Sequence, residues 1–164
     1  MADFLFISPS EITTSTILGG NVDKSKYVFC IADAQITIIE VLLGTELYDK
    51  ILSEAETTTL SGDYLTLYNE YVKPITKYSA LSLYIDIADI MVTNGGLNRH
   101  TSDNAENLDK DDKMSLSQRY AGLADMYIIR FNKWILNNPL AEYKTSQDEV
   151  NANNNVTLIA GWKL

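Results

Sequence analysis

Residues 75–93, "ITKYSALSLYIDIADIMVT", limit the possible folds more than any other stretch of this chain. Tyr78, Leu81, Leu83, Tyr84, Ile85, Ile87, Ile90, Met91 and Val92 put apolar side chains on almost every side of a helix. Only Ser82, Asp86, Asp89 and Thr93 form a polar stripe, narrow and at steps of four and three. A helix from Ile75 to about Thr93 with this pattern has to be surrounded by protein. No stretch of the chain reaches the ~20 apolar residues of a membrane span, so the pattern predicts the central helix of a bundle. With 164 residues, 46% of them hydrophobic, one domain can supply the surrounding core; at this length folding buries about 70% of the surface of the unfolded chain.

The remaining elements are read outward from that helix. Asp23 is a candidate N-cap for a helix whose seam is Tyr27, Ile31, Ala34, Ile38 and Val41. Gly44 interrupts the apolar pattern where a C-terminal glycine belongs, and Thr45 is placed to cap a second helix from Glu46 to about Ala55. Gly44 and Thr45 thus form a corner between two helices. After the break "ETTTLSGD" (56–63), Tyr64, Leu67, Tyr68, Tyr71 and Val72 share one side of a tyrosine-rich helix that Pro74 should end or kink. Residues 94–113 are polar and, at about 20 residues, exceed an ordinary connection, which predicts a flexible or functional loop. Ser115 with Gln118 reads as a capping box for a last helix bearing Leu116, Tyr120, Leu123, Tyr127, Phe131 and Trp134. "FLFI" (4–7) reads as a strand or extended arm, residues 8–23 as mostly loop with one turn of helix, and "VTLIAGW" (156–162) as strand-like after an asparagine-rich linker. The predicted fold is mainly α. It is a bundle of about four or five helices with extended N- and C-terminal arms and a long polar loop, divided into a domain over 1–143 and a tail over 144–164.

Charge and residue types argue against several functions. Thirteen basic against 22 acidic residues give a net charge of −9, unsuited to gripping nucleic acid through a basic surface. The start "MADFLFISPSEI" has no basic segment and only a short apolar run, so it does not read as a secretory signal, and the chain reads as soluble. Cys30 is the only cysteine and His100 the only histidine, too few ligands for an ordinary zinc site; Cys30 reads as a buried, inert thiol and His100 as a solvated loop residue. "SDNAENLDKDD" fails the spacing of a calcium loop at Ala105 and lacks its glycine, which leaves only irregular calcium coordination open. Asp86 and Asp89 share a helix face, but no base or nucleophile stands near them in sequence; a solvated stripe or a subunit contact accounts for them. We therefore expect no catalytic residue, no metal and no cofactor. The ten tyrosines suit core edges and subunit interfaces alike.

The order of features resembles a known family. "IIEVLLGTELYDKI", a polar break, "YLTLYNEYVKPITKYSALSLYIDIA", a long polar loop and a final amphipathic helix are similar to the head–tail connector (adaptor) proteins of tailed bacteriophages, including phages that infect Bacteroidetes. The resemblance rests on the corner at Leu43 to Tyr48 and on Lys73-Pro74, and it spans about residues 25–137. It implies a non-enzymatic virion protein made in the host bacterial cytoplasm. Such a protein forms a homo-oligomeric ring, commonly a dodecamer, beneath the portal protein, where it extends the DNA channel and joins the capsid to the next tail or ring protein. DNA would pass without specific binding, and no membrane is involved. On this reading Phe4, Phe6, Val156, Leu158, Ile159 and Trp162 are partner-binding residues on arms that seek strands of neighbouring subunits. The alternative is a stand-alone helical protein-binding or regulatory module.

Overall fold

The computed structural model describes residues 4–18, 22–88, 90–93, 96–99 and 109–143. Among them are five helices and one hairpin, so the protein is mainly α. Helix α1 is Pro9–Ser15. Helix α2 runs without a break through Val28–Ala34, a π-helical stretch Gln35–Glu40 and a last turn Val41–Leu43. Helix α3 is Thr45–Glu56. Helix α4 joins Gly62–Leu67, a second π-helical stretch Tyr68–Val72, and Lys73–Ile87. Strands β1 (Ile90–Thr93) and β2 (Gly96–Arg99) pair antiparallel, with Ile90 opposite Arg99 and Thr93 opposite Gly96. Helix α5 is Lys110–Ile135.

The central position expected for residues 75–93 belongs to α4, which packs against both α2 and α5. Its two sides use different chemistry. Towards α2, Ala80 and Tyr84 join Tyr27, Cys30, Ile31 and Ala34 in one buried cluster, with Ile7 and Ile12 from the N-terminal region closing it. Towards α5, Tyr78 stacks on Tyr120 and Tyr127, at centroid distances of 6.3 and 5.8 Å. One turn on, the Ser82 and Ser117 hydroxyls each reach the other residue's carbonyl, at 3.1 and 3.2 Å. Small serine side chains allow the two backbones to approach closely there. A second core cluster joins α2, α3, α4 and α5 around Ile39, Leu47, Ile51, Leu67, Ile75 and Phe131.

Several expectations are corrected by local physics. The central helix ends at Ile87, not Thr93, and Ile90 to Thr93 form β1; β-branched Ile90, Val92 and Thr93 favour the extended backbone. The segment predicted as a long loop, 94–113, therefore contains β2 and the start of α5, while 94–95 and 100–108 lie outside the described residues. Helix α5 starts at Lys110, before Ser115, because Asp109 caps it: the Asp112 amide donates to Asp109 Oδ1 at 2.8 Å. Residues 9–15 are a true helix, opened by a capping box between Ser8 and Glu11.

Pro74 does not end its helix. Proline lacks the N–H that would donate a hydrogen bond to the preceding turn and crowds that turn's carbonyl, and the widened π stretch immediately before it takes up that mismatch while α4 continues. The π stretch in α2 has a similar effect on the seam. A wider turn uses an extra residue, so the buried line runs Ile31, Gln35, Ile39 and Leu43, while Val41, expected in the seam, is 78% exposed.

Gly44 is the corner anticipated for it, with φ 74° and ψ 153°, a region open essentially to glycine alone. Its amide donates to the Glu40 carbonyl at 2.9 Å and its carbonyl accepts from Tyr48 at 3.0 Å. Thr45 is not a side-chain cap; as the first residue of α3 it turns its hydroxyl back to Glu40 Oε1, at 3.3 Å.

Candidate interaction surfaces

The N-terminal arm is anchored within its own subunit. Gln35, buried by the slipped seam of α2, accepts from the Phe6 amide at 2.7 Å and donates to the Phe4 carbonyl at 3.2 Å. Tyr68 donates to the Phe6 carbonyl at 2.9 Å. The Phe6 ring, 1% exposed, meets Tyr48 and Tyr68 edge-on, with Phe4 packed beside it. Phe4 and Phe6, expected to reach a partner's strand, thus pack against their own chain here. Gln35 supplies a side-chain amide that satisfies the backbone of "FLFI" as a neighbouring strand would. Val156, Leu158, Ile159 and Trp162 lie outside the described residues, as do His100 and Asp89; Asp86 is exposed.

The charged groups that the fold brings together are bound into structural contacts. Glu142, just beyond α5, accepts from Lys50 Nζ at 2.8 Å and from the Tyr64 hydroxyl at 2.6 Å, while the Lys50 ammonium sits 4.3 Å from the centre of the Tyr64 ring. Hydrogen bonds from Lys50 and then Tyr64 hold the Glu142 carboxyl below the usual carboxylate range, and the same contacts raise Lys50 and Tyr64. Nothing in the sequence spacing identified this contact, because its members lie on α3, α4 and the segment after α5.

A second ion pair, Lys73 Nζ to Glu11 Oε1 at 2.9 Å, ties α4 to α1. It borders an open cleft of about 270 Å³ that Thr14, Asn69 and Lys77 also line. Both ammonium groups of the cleft are engaged, Lys73 by Glu11 and Lys77 over the Tyr78 ring at 4.6 Å. Burial pushes the Cys30 thiol up to about 11, with Asp33 adding to the effect, so it stays protonated and unreactive. Among the described residues, no group of three or more histidine, cysteine or acidic side chains could hold a metal ion. No helix there is long and apolar enough to cross a membrane.

Within the single chain, the tyrosines lie in the core and at its edge. Tyr71 and Tyr84 are buried, and Tyr64, Tyr68, Tyr78, Tyr120 and Tyr127 are half-buried against partners of the same chain.

Among the described residues, exposed apolar surface lies on the outer faces of α2 and α5. On α2, Phe29 and Ile36 are exposed on either side of Asp33. On α5, the buried line is Ser117, Ala124, Phe131 and Ile135, so Met126 and Ile129 face outward with Arg119, Gly122 and Lys133. A Cβ at Gly122 would meet nothing within 4 Å. Glycine in an exposed helix interior costs about 1 kcal/mol relative to alanine, and the subunit's own packing does not require it here. The sequence carried a signal for this face: Gly122, Met126 and Ile129 follow helical spacing away from the face formed by Tyr120, Tyr127 and Phe131.

Residues 39–153 match the model of a family of unknown function, DUF6712, and the chain belongs to that family. No curated protein and no solved structure matches it.

Proposed function

We propose that this protein is a structural subunit of a ring at the head–tail junction of a tailed bacteriophage. It would lie beneath the portal, extending the DNA channel and joining the capsid to the tail. The observation that carries the reading is the exposed apolar surface, among the described residues, on two outer helix faces of a bundle that buries its core elsewhere. Exposed apolar stripes rimmed by charge mark contact surfaces. The groups with displaced protonation are held in structural contacts, which favours a scaffold over catalysis. A net charge of −9 suits a channel wall, because carboxylates repel phosphates.

The test is light scattering and electron microscopy of the purified full chain, alone and with a portal protein of a tailed bacteriophage that carries this family. A ring coaxial with the portal is the expected result. A protein that stays monomeric and ignores the portal overturns the reading and leaves the stand-alone binding module.

A further inference from the structure

We infer that the outer face of α2 in one copy docks against the outer face of α5 in the next, head to tail. The inference rests on the self-association in the functional reading above and specifies the surfaces that carry it.

The two faces point away from each other. Ala80 and Tyr84 turn one side of α4 towards α2, and Tyr78 and Ser82 turn the opposite side towards α5. Phe29, Asp33 and Ile36 are on the far side of α2, and Arg119, Gly122, Met126 and Ile129 on the far side of α5. A copy therefore cannot join these surfaces within itself. Contact between unlike surfaces leaves one of each free at the ends, and it closes into a ring when the rotation per subunit allows.

Charge selects a second copy as the occupant. The α2 face is acidic, with Asp33 and Glu40 beside its apolar residues, and the α5 face is basic, with Arg119 and Lys133 outweighing Asp125. Asp33 and Arg119 are both exposed, and neither has an ion-pair partner among the described residues. Their spacing also matches. Ile36 follows Asp33 by three residues, and Gly122 follows Arg119 by three. Helices laid parallel with Asp33 against Arg119 set the Ile36 side chain over Gly122, where the missing Cβ leaves room, with Met126 and Ile129 beyond it. The ends agree in sign as well: Lys24 and Lys26 precede α2, and Asp109, Asp111 and Asp112 stand at the start of α5.

Sedimentation of the full chain tests the contact, with circular dichroism confirming that each variant is folded. Asp33→Lys and Arg119→Glu should each weaken self-association about tenfold or more, because like charges then face each other. The Asp33→Lys/Arg119→Glu chain should recover it. Rising salt should weaken the wild-type contact. Independently, oxidation of an Ile36→Cys/Gly122→Cys chain should give a ladder of dimers, trimers and higher species, while either single variant gives none; Cys30 is buried and does not compete. Assembly unaffected by charge reversal, with no ladder, overturns the inference and leaves the ring reading standing on another surface. A wild-type chain that is monomeric at millimolar concentration overturns the inference too, and the portal experiment then decides the ring reading separately.

Discussion

Gln35 shows how much one side chain can organise. Its amide takes the place of a neighbouring strand for the arm, accepting from the Phe6 amide and donating to the Phe4 carbonyl. Gln35→Leu would preserve volume but leave the Phe6 amide buried without an acceptor, a loss of about 1–3 kcal/mol. Urea unfolding should register that loss, and the Phe4–Ile7 segment should become the first site of proteolysis. Unchanged stability would mean that the aromatic contacts of Phe6 with Tyr48 and Tyr68 hold the arm without it. Nothing in the spacing of "YVFCIADAQITIIE" marks Gln35 as an interior residue, because a regular helix through Ile31 and Ala34 places Ile38 there instead. The information is in the π stretch, which depends on packing around the whole of α2.

At the scale of elements, the two π stretches explain both what was legible and what was not. Helical periodicity correctly located α2, α3, α4 and α5, since each buries an apolar face, and Gly44 marked the corner through a backbone constraint local to one residue. Helix ends were less legible: Asp109 competes with Ser115 as a cap, and β-branched residues 90, 92 and 93 pass equally well as a buried helix face or a strand. The rule for Pro74 is half met: the helix does not end there, but a widened turn precedes the proline and a regular helix restarts at Lys73. That yields a sharp expectation. A proline straining a regular helix would cost about 3 kcal/mol, and its removal would stabilise the protein. At a site already shaped to receive it, Pro74→Ala should instead lower stability slightly, by about 0.4–1 kcal/mol, through a more flexible unfolded chain. Thermal and denaturant melts distinguish the two signs.

The bundle as a whole is fastened between elements distant in sequence by two carboxylates, Glu142 against α3 and α4 and Glu11 against α4. Glu142 is lowered by its bonds from Lys50 and Tyr64. For Glu11, burial pushes upward, but the Ser8 backbone bond and the Lys73 contact outweigh it and the net shift is downward. A carboxyl group with a depressed folded-state pKa binds its proton more readily in the unfolded chain. Its contribution is present above the ordinary carboxylate range and is lost as pH falls through the folded value. Melting temperature should therefore fall on acidification, and a Glu11→Gln/Glu142→Gln chain should show a shallower fall below the ordinary carboxylate range. Both pairs are partly exposed, so the difference near neutral pH should be small. An equally steep acid loss in the variant would place the responsible groups elsewhere.

The same view of the whole molecule bears on the last residues. Among the described residues, the clusters around Phe131 and around Ile31 draw on positions from 4 to 143, and Leu140 and Tyr143 pack into the first of them. Residues 144–164 lie outside the described structure, so "VTLIAGW" has no assigned place, and the sequence-based proposal that it locks onto a neighbour stands on composition and length. A tether of about 12 residues spans up to ~35–40 Å when extended, enough to reach a neighbouring subunit or an adjoining ring. If α2 and α5 join copies within a ring, the tail is left to join this ring to a different protein, where an added strand would satisfy backbone groups and bury Leu158 and Trp162. Deleting residues 150–164 should then leave helical content, melting temperature and self-association unchanged while abolishing capture of the adjoining ring protein, as measured by co-sedimentation. Loss of folding on truncation would place the tail in the subunit's own core. Loss of self-association with folding intact would make the tail the contact between like subunits, and full capture by the truncated chain would remove it from the junction altogether.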